Sequence, residues 1–251
     1  MSGPPRAAIL IFTRGPASEG ARKQLHPRGG ADPLGTIFDT LLAQACAGGA
    51  EVVVAAPEGA RLPALPASVS RIRQEGSGSA ARLRRAMADV FARGVDGLVV
   101  IGDDAPEIRS DDLRSALQFI SGSAPTAVVG PCRDGGFYLL ALNRSAPDAL
   151  RGIPWGSRRA RAALQRRLRD SGFELHLLRP LADLDDRVGL QRLATRLGRQ
   201  RLASLRELQA QIAIWIRSAC AWMKLPAGHP RDALVSRLLP SRAPPASPLS
   251  S

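Results

Sequence analysis

The stretch from Gly97 to Leu142 constrains the fold of this chain more than any other part of the sequence. It opens with an apolar, β-branched-rich run, Leu98 to Ile101, which is typical of a strand buried on both faces. That run ends in Gly-Asp-Asp-Ala-Pro, and carboxylates after a buried strand lie where open α/β sheets bind ligands. Two further apolar runs flank a second acidic turn, Asp134-Gly135-Gly136, as in a β-hairpin.

Strand and helix patterns alternate along most of the chain. The first buried strand is predicted over Ala7 to Phe12, and residues 13–27 are predicted to form an irregular loop. A helix is predicted to begin at Asp32-Pro33, with Asp32 as its N-cap and Pro33 in the first helical position. Alternation of this kind predicts a mainly parallel sheet with helices on both faces, and the hairpin at Asp134 adds one antiparallel strand.

The charge of the chain is strongly basic, with a formal net charge of +13 over 251 residues. Nearly all of it comes from arginine, because lysine occurs only at positions 23 and 224. The arginines are spread along the whole chain and are not interleaved with aromatic residues, which favours a solvated basic surface over a nucleic-acid-binding face. We therefore expect no nucleic-acid partner, and a phosphate-bearing small substrate suits the positive field.

Cysteine usage and hydropathy indicate a cellular compartment. Cys46, Cys132 and Cys220 are odd in number and contain no CxxC pair, which indicates neither a disulfide framework nor a zinc ribbon. The apolar run at residues 7–12 is too short for a secretory signal, and no apolar run is long enough to span a bilayer. We expect a cytoplasmic protein without a transmembrane segment.

The C-terminal part carries one more amphipathic helical pattern, predicted over residues 199–225. Its leucine, isoleucine and tryptophan residues recur at helical spacing, and its charged residues fall mostly off that stripe. Such a helix docks on its own domain or pairs two copies of the chain, whereas tryptophans with flanking cations also suit a membrane surface. Docking on the protein's own domain, or on a second copy of it, is favoured over binding to a membrane surface. We predict a main domain over residues 1–198 and a disordered Pro/Ser-rich tail over residues 226–251.

Four motifs, taken in order, resemble those of an uncharacterised bacterial family of GT-A-like proteins, the radical-SAM/selenodomain-associated glycosyltransferases. They are Gly102-Asp-Asp-Ala-Pro106, Gly130-Pro-Cys-Arg-Asp-Gly-Gly-Phe-Tyr138, Ile153-Pro-Trp-Gly-Ser157 and Asp183-Leu-Asp185. The resemblance covers about residues 7–193 and extends, more distantly, to small nucleotidyltransferases such as the phospholactate guanylyltransferases. It implies the nucleotide-diphospho-sugar transferase fold, a Rossmann-like α/β/α sandwich.

The resemblance implies that Asp104 and Asp185 hold a divalent cation, Mg²⁺ or Mn²⁺, on a nucleotide diphosphate. Such hard ions take oxygen ligands, usually one or two carboxylates together with substrate phosphates. A structural alternative stays open for each residue, since Asp104 can cap the turn before Pro106 and Asp185 can cap the helix that follows it. Asp103 is expected to point elsewhere and to bond to backbone or water.

The turn Asp134-Gly135-Gly136 resembles the acceptor-side or sugar-side turn of the family, where the glycines let a ligand approach the backbone closely. Asp134 is the candidate general base if an acceptor hydroxyl lies within hydrogen-bond reach. A hairpin turn with a locally bonded aspartate is the alternative. Trp155 is a candidate for stacking on a ring of the ligand, with a role as a packing anchor as its alternative.

The segment after the first strand is the candidate nucleotide side. It carries Arg14, Arg22 and Lys23 among glycines, and such segments hold phosphates through backbone N–H groups and cationic side chains. An ordinary solvated loop is the alternative. The family pattern here is A-P-x-P-G-x-x-K-T-R-L, but Arg22, Lys23 and Gln24 stand where the family has Lys, Thr and Arg. Charge is kept while geometry changes, because Arg and Lys bind phosphate differently.

Taken together, these motifs predict a metal-dependent glycosyltransferase-like enzyme that moves a sugar from a nucleotide sugar to a small acceptor. Two alternatives stay open. One is nucleotidyl transfer from a nucleoside triphosphate to a phosphorylated small molecule. The other is a degenerate, non-catalytic module that binds a partner, or a second copy of the chain, through the C-terminal helix.

Overall fold

The computed structural model describes residues 6–146, 148–200 and 205–221. Within them, strands β1 to β7 span Ala7–Phe12, Glu51–Ala56, Val69–Arg73, Gly97–Gly102, Thr126–Pro131, Phe137–Leu142 and Glu174–Leu177. Helices α1 to α7 span Pro16–Lys23, Pro33–Cys46, Gly78–Phe91, Ser110–Phe119, Ala160–Asp170, Arg187–Gln200 and Arg206–Ala221. The predicted tail over residues 226–251 lies outside the described residues.

The strands form one mixed sheet in the order β3-β2-β1-β4-β6-β5-β7. Strand β6 runs antiparallel to both of its neighbours, β4 and β5, and the other pairings are parallel. The predicted hairpin at Asp134 is therefore the connection between β5 and β6. Six strands point the same way, so their carboxyl ends share one edge of the sheet, which is where open α/β folds bind ligands.

Apolar layers cover both faces of this sheet, as the alternation of strands and helices predicts. In β1, Ile9 and Ile11 pack into one layer while Ala8 and Leu10 pack into the other. The first layer contains side chains of α2, α4, α6 and α7, and the second contains those of α3 and α5. The predicted mainly parallel α/β/α sandwich is confirmed.

Helix α1 occupies part of the segment that was predicted to be an irregular loop, and that prediction is wrong. Gly15 turns the chain with φ 89° and ψ 147°, and Pro16 takes the first helical position. Pro at this position loses no hydrogen bond, because the first N–H groups of a helix have no partner within the helix. Glu19 in the first turn and two cations in the last turn match the helix dipole.

The apolar stripe of α7 is covered by the protein's own core. Leu208, Ile212 and Trp215 are buried in the same layer as side chains of α2 and α6. The indole Nε1 of Trp215 donates a hydrogen bond to the carbonyl oxygen of His26 at 2.7 Å. Two guanidinium groups lie over the same ring, those of Arg28 and Arg187, at 5.9 and 5.4 Å from its centre.

Among the described residues, no helix combines the length and the apolar character that crossing a lipid bilayer requires.

Candidate functional site

A cleft of about 550 Å³ opens at the carboxyl ends of the parallel strands. Its acidic lining consists of Glu19, Asp103, Asp104, Asp134, Asp183 and Asp185. Arg14 and Arg22 also reach it, and an apolar wall is formed by Phe12, Leu83, Val100, Phe137 and Trp155. A cleft of this size, with apolar walls and convergent polar groups, is typical of small-molecule sites.

Backbone hydrogen bonds bring the two distant acidic motifs together. The amide of Leu181 donates to the carbonyl of Pro131 at 3.0 Å, extending the sheet beyond the end of β5. The amide of Leu184 then donates to the carbonyl of Asp104 at 2.7 Å. The Leu184 side chain is buried, while those of Asp183 and Asp185 line the cleft.

Asp104 is the centre of the charged contacts in the cleft. Its Oδ1 accepts hydrogen bonds from the Lys23 ammonium and from Arg22 Nη2, the latter at 3.3 Å. Arg22 Nη2 also lies 3.6 Å from Asp185 Oδ1. The structure therefore brings together four of the residues that the sequence singled out, namely Arg22, Lys23, Asp104 and Asp185.

Asp104 also belongs to a more buried group of carboxylates, which we call the inner acidic cluster: Glu19, Asp103 and Asp104. Their ligand-capable oxygens all lie within 4.8 Å of one another. Asp103 and Glu19 are buried. Asp103 accepts a hydrogen bond from the hydroxyl of Thr13, so the expected bond to backbone or water is replaced by a side-chain partner. The sequence interpretation missed Glu19 because it did not recognise α1.

Burial, together with the negative charges of Asp104 and Glu19, raises the pKa of Asp103 from 3.8 to about 7. A carboxyl whose pKa is raised in the folded state stabilises that state. The stabilisation is complete below the unfolded-state pKa, near 3.8, and is lost as the pH rises through 7.

In metal-free protein, we expect the free energy of unfolding of Asp103→Asn to rise relative to that of the wild type between pH 4 and 8, because only the wild type loses this stabilisation. Urea denaturation in EDTA at several pH values measures the difference, and a difference that does not change with pH would contradict the assignment.

The turn Asp134-Gly135-Gly136 is held by its own bonds and by the backbone just before α5. Asp134 Oδ1 accepts a hydrogen bond from the amide of Gly136 at 2.8 Å. Gly135 has φ 100°, and a Cβ at this residue would lie 2.3 Å from the carbonyl oxygen of Arg158. Close packing against a neighbouring backbone thus requires glycine at this position. Asp134 lines the cleft from this turn.

Asp183 is a cleft carboxylate that the sequence interpretation did not name as a site residue. The pKa of Asp183 is raised to about 6. Desolvation is the largest cause, followed by a hydrogen bond to Asp185 and the negative charge of Asp134. Cys132 lies buried in the same cleft, and burial together with the charges of Asp183 and Asp134 raises the pKa of its thiol well above the ordinary value. The thiol therefore stays protonated at neutral pH and is a poor nucleophile.

Trp155 and Arg14 both line the cleft. Trp155 packs edge-on against Phe137, with ring centres 5.7 Å apart and planes at 60°, and both rings line the cleft. Arg14 Nη2 donates to Ser79 Oγ at 3.1 Å, at the start of α3, and Arg14 Nη1 lies 3.6 Å from Glu19 Oε1. Trp155 thus packs against Phe137 and lines the cleft at the same time.

The exposed carboxylates Asp104 and Asp185 fit a hard divalent cation. Their side chains are 46% and 60% exposed, and both supply the oxygen donors that Mg²⁺ and Mn²⁺ prefer. One nitrogen of Arg22 already lies within 3.6 Å of an oxygen of each, so the space between them favours positive charge. Because the Arg22 side chain is itself 40% exposed, it can move away from this position.

Comparison with known protein families finds a match over residues 40–157. The matching family is described as an uncharacterized protein conserved in bacteria (DUF2064). The match includes Asp104, Asp134 and Trp155, but not α1 or Asp185. No curated protein matches the chain.

Two solved structures resemble this one. The first is a provisionally assigned nucleotide-diphospho-sugar transferase from Desulfovibrio desulfuricans G20, which is 22% identical, has a TM-score of 0.71 and covers 92% of this chain and 97% of its own. The second is Rv0371c from Mycobacterium tuberculosis H37Rv, which is 18% identical, has a TM-score of 0.50 and covers 76% of this chain and 98% of its own. Similarity at this level of identity establishes fold, and the chain has the Rossmann-like fold of the nucleotide-diphospho-sugar transferases.

Proposed function

We propose that this protein is a nucleotide-dependent transferase that takes a sugar from a nucleotide sugar and passes it to a small acceptor. One observation carries the proposal: the exposed carboxylates Asp104 and Asp185 meet the cationic end of α1 at the carboxyl edge of the sheet. The fold likeness to the Desulfovibrio protein supports the same interpretation. Fold alone does not specify a reaction, so the argument rests on the chemistry of this site.

Charge on the leaving group is what the site must stabilise. When the bond from the sugar to the nucleoside diphosphate breaks, the departing diphosphate takes the electron pair and gains negative charge. A divalent cation held by Asp104 and Asp185 would supply Lewis-acid stabilisation of that charge when bound. Arg22 is partly exposed at this edge, and its planar guanidinium can bind phosphate oxygens in a bidentate manner. Arg14 lines the same cleft and adds a second cation.

The acceptor is proposed to enter beside Asp134 and Trp155. Asp134 takes the proton from an acceptor hydroxyl, whose oxygen then bonds to the anomeric carbon as the diphosphate leaves. The Asp134 oxygen that is bonded to Gly136 holds the carboxylate in place. Phe137 and Trp155 form an apolar wall against which a sugar or acceptor ring can pack.

Nucleotidyl transfer is the second candidate, and the pair Arg14 and Arg22 favours it because two cleft-lining cations suit a triphosphate as well as a diphosphate. In this reaction a phosphorylated acceptor attacks the α-phosphorus and pyrophosphate leaves. The products separate the two candidates. Release of a nucleoside diphosphate identifies glycosyl transfer, and release of pyrophosphate identifies nucleotidyl transfer.

A thermal-shift screen tests the proposal while the donor is still unidentified. Nucleotide sugars, nucleoside diphosphates and nucleoside triphosphates are each added with Mn²⁺, with Mg²⁺ and with EDTA. A ligand at 100 times its Kd adds about 2.7 kcal/mol to stability, which is roughly a 5–10 °C rise in Tm for a domain of this size. We expect a metal-dependent rise with one nucleotide family. A flat response across the panel would contradict the proposal and favour a non-catalytic binding module.

A further inference from the structure

Lys23 lies inside the inner acidic cluster and is shielded from solvent. Its side chain is 0% exposed. Its ammonium donates a hydrogen bond to Asp104 Oδ1 and lies 3.7 Å from Glu19 Oε2. Asp103, the third member of the cluster, is buried beside it and feels its positive charge. One ammonium group therefore contacts two of the three carboxylates and acts on the third, Asp103, through its charge.

The Lys23 ammonium occupies a position that would otherwise suit a metal ion. Three carboxylates with oxygens within 4.8 Å of one another form an oxygen-rich donor set of the kind that hard cations occupy. Buried carboxylates without a counterion are costly, so some positive charge is required here. In this chain side chains supply that charge: the fully buried Lys23 contacts Glu19 and Asp104, and the partly exposed Arg14 and Arg22 also contact Glu19.

Lys23 and Arg22, the two cationic residues in the last turn of α1, differ in how easily their side chains can move away from the carboxylates. Lys23 and Glu19 are one helical turn apart on α1, so the helix itself fixes the ammonium beside the Glu19 carboxylate. The Arg22 side chain is 40% exposed, and its Nη2 contacts the outer carboxylates Asp104 and Asp185 while its Nε donates to Glu19 Oε2 at 2.9 Å. Its exposed Nη2 end can therefore move from between Asp104 and Asp185 into solvent, whereas the Lys23 side chain has no exposed surface through which to leave.

We propose that Lys23 is an internal counterion that takes the place of a metal ion in the inner acidic cluster and confines divalent-cation binding to the exposed edge formed by Asp104 and Asp185. The claim that a cation binds at Asp104 and Asp185 rests on the proposed function. The claim that Lys23 is the counterion of the inner acidic cluster does not. Lys23 is thus a positioning residue. It places a buried positive charge beside Glu19 and holds Asp104 through Oδ1, and its ammonium has no exposed surface from which to reach a phosphate.

Counting bound Mn²⁺ tests this inference directly. Electron paramagnetic resonance titrations compare the wild type with Lys23→Met, which keeps most of the side-chain length and removes the charge, and with Arg22→Met as the matched control on the same helix. We expect Lys23→Met to bind one more equivalent of Mn²⁺ per chain than the wild type does. Arg22→Met removes a cation from the exposed edge and is expected to tighten the outer site without adding an equivalent.

A stability readout accompanies the count. In EDTA the Tm of Lys23→Met is expected to fall below that of the wild type, and Mn²⁺ is expected to restore most of the difference. Equal Mn²⁺ stoichiometry in the two proteins would overturn the inference. If the wild type binds no Mn²⁺, the metal part of the proposed function fails, but an extra equivalent in Lys23→Met still supports the inner-cluster assignment.

Asp103→Asn decides the matter if Lys23→Met cannot be purified with or without Mn²⁺. Because Lys23 excludes metal from the inner cluster, removing the charge of Asp103, which is then no ligand, should lower the Mn²⁺ affinity of the otherwise wild-type protein by much less than tenfold. A tenfold or greater loss of Mn²⁺ affinity would put the ion among Glu19, Asp103 and Asp104 and would overturn the proposal.

Discussion

Replacing Asp104 by Asn is expected to lower turnover by at least about a hundredfold while the protein stays folded. The carboxylate is the proposed ligand of a cation whose contribution to the transition state is several kcal/mol, and about 1.4 kcal/mol corresponds to a factor of ten in rate. Asn keeps an oxygen for the hydrogen bond from Lys23, which limits the structural cost. Turnover with the donor found by the thermal-shift screen is the measurement.

Asp111→Asn is the matched control for this substitution. Asp111 is also an aspartate that pairs with an arginine, Arg114, but it lies on the surface of α4 with its side chain 79% exposed. We expect wild-type turnover and an unchanged metal-dependent thermal shift in this variant. Wild-type turnover in Asp104→Asn itself would remove the basis of the proposed mechanism.

Truncating Trp215 to Ala is expected to produce the largest loss of stability among single substitutions in α7. The indole is 2% exposed, packs into the layer shared with α2 and α6, and donates a 2.7 Å hydrogen bond to His26. Removing a buried Trp costs about 3–5 kcal/mol, which corresponds to a fall in Tm of roughly 6–20 °C at about 2–4 °C per kcal/mol. Calorimetry or circular dichroism melting measures it.

Trp215→Phe separates packing from the hydrogen bond. Phe keeps most of the buried apolar volume and loses the indole N–H together with part of the ring system, so its Tm should lie between those of the wild type and Trp215→Ala. If Trp215→Ala melts at the wild-type temperature, α7 does not contribute to the core in the way that the contacts of Trp215 indicate.

Local sequence patterns were enough to predict most of the sheet. β1 occupies the predicted residues, and β6 is the predicted apolar run that follows the second acidic turn, because uninterrupted apolar runs between turn signals indicate burial on both faces. The cap at Asp32 is also confirmed, since its side chain accepts a hydrogen bond from the amide of Gly35 at 3.0 Å. These features depend on residues that are close together in the chain.

The site was harder to predict because it depends on contacts between distant residues. The glycines and prolines around residues 13–27 suggested a loop, so neither α1 nor the pairing of Glu19 with Lys23 was expected. The approach of Asp185 to Asp104 depends on the backbone bond from Leu184, which no local pattern encodes. The Arg158 backbone that packs against Gly135 is likewise remote in sequence.

One crystallographic experiment tests the central claim most directly: anomalous diffraction from crystals grown with Mn²⁺ and a nucleoside diphosphate chosen by the screen. The account predicts one anomalous peak bound by Asp104, Asp185 and diphosphate oxygens, with Arg22 moved from between the two carboxylates onto a phosphate. It also predicts that Lys23 stays in the inner acidic cluster. A peak among Glu19, Asp103 and Asp104, or a diphosphate bound away from this edge of the sheet, would contradict the account.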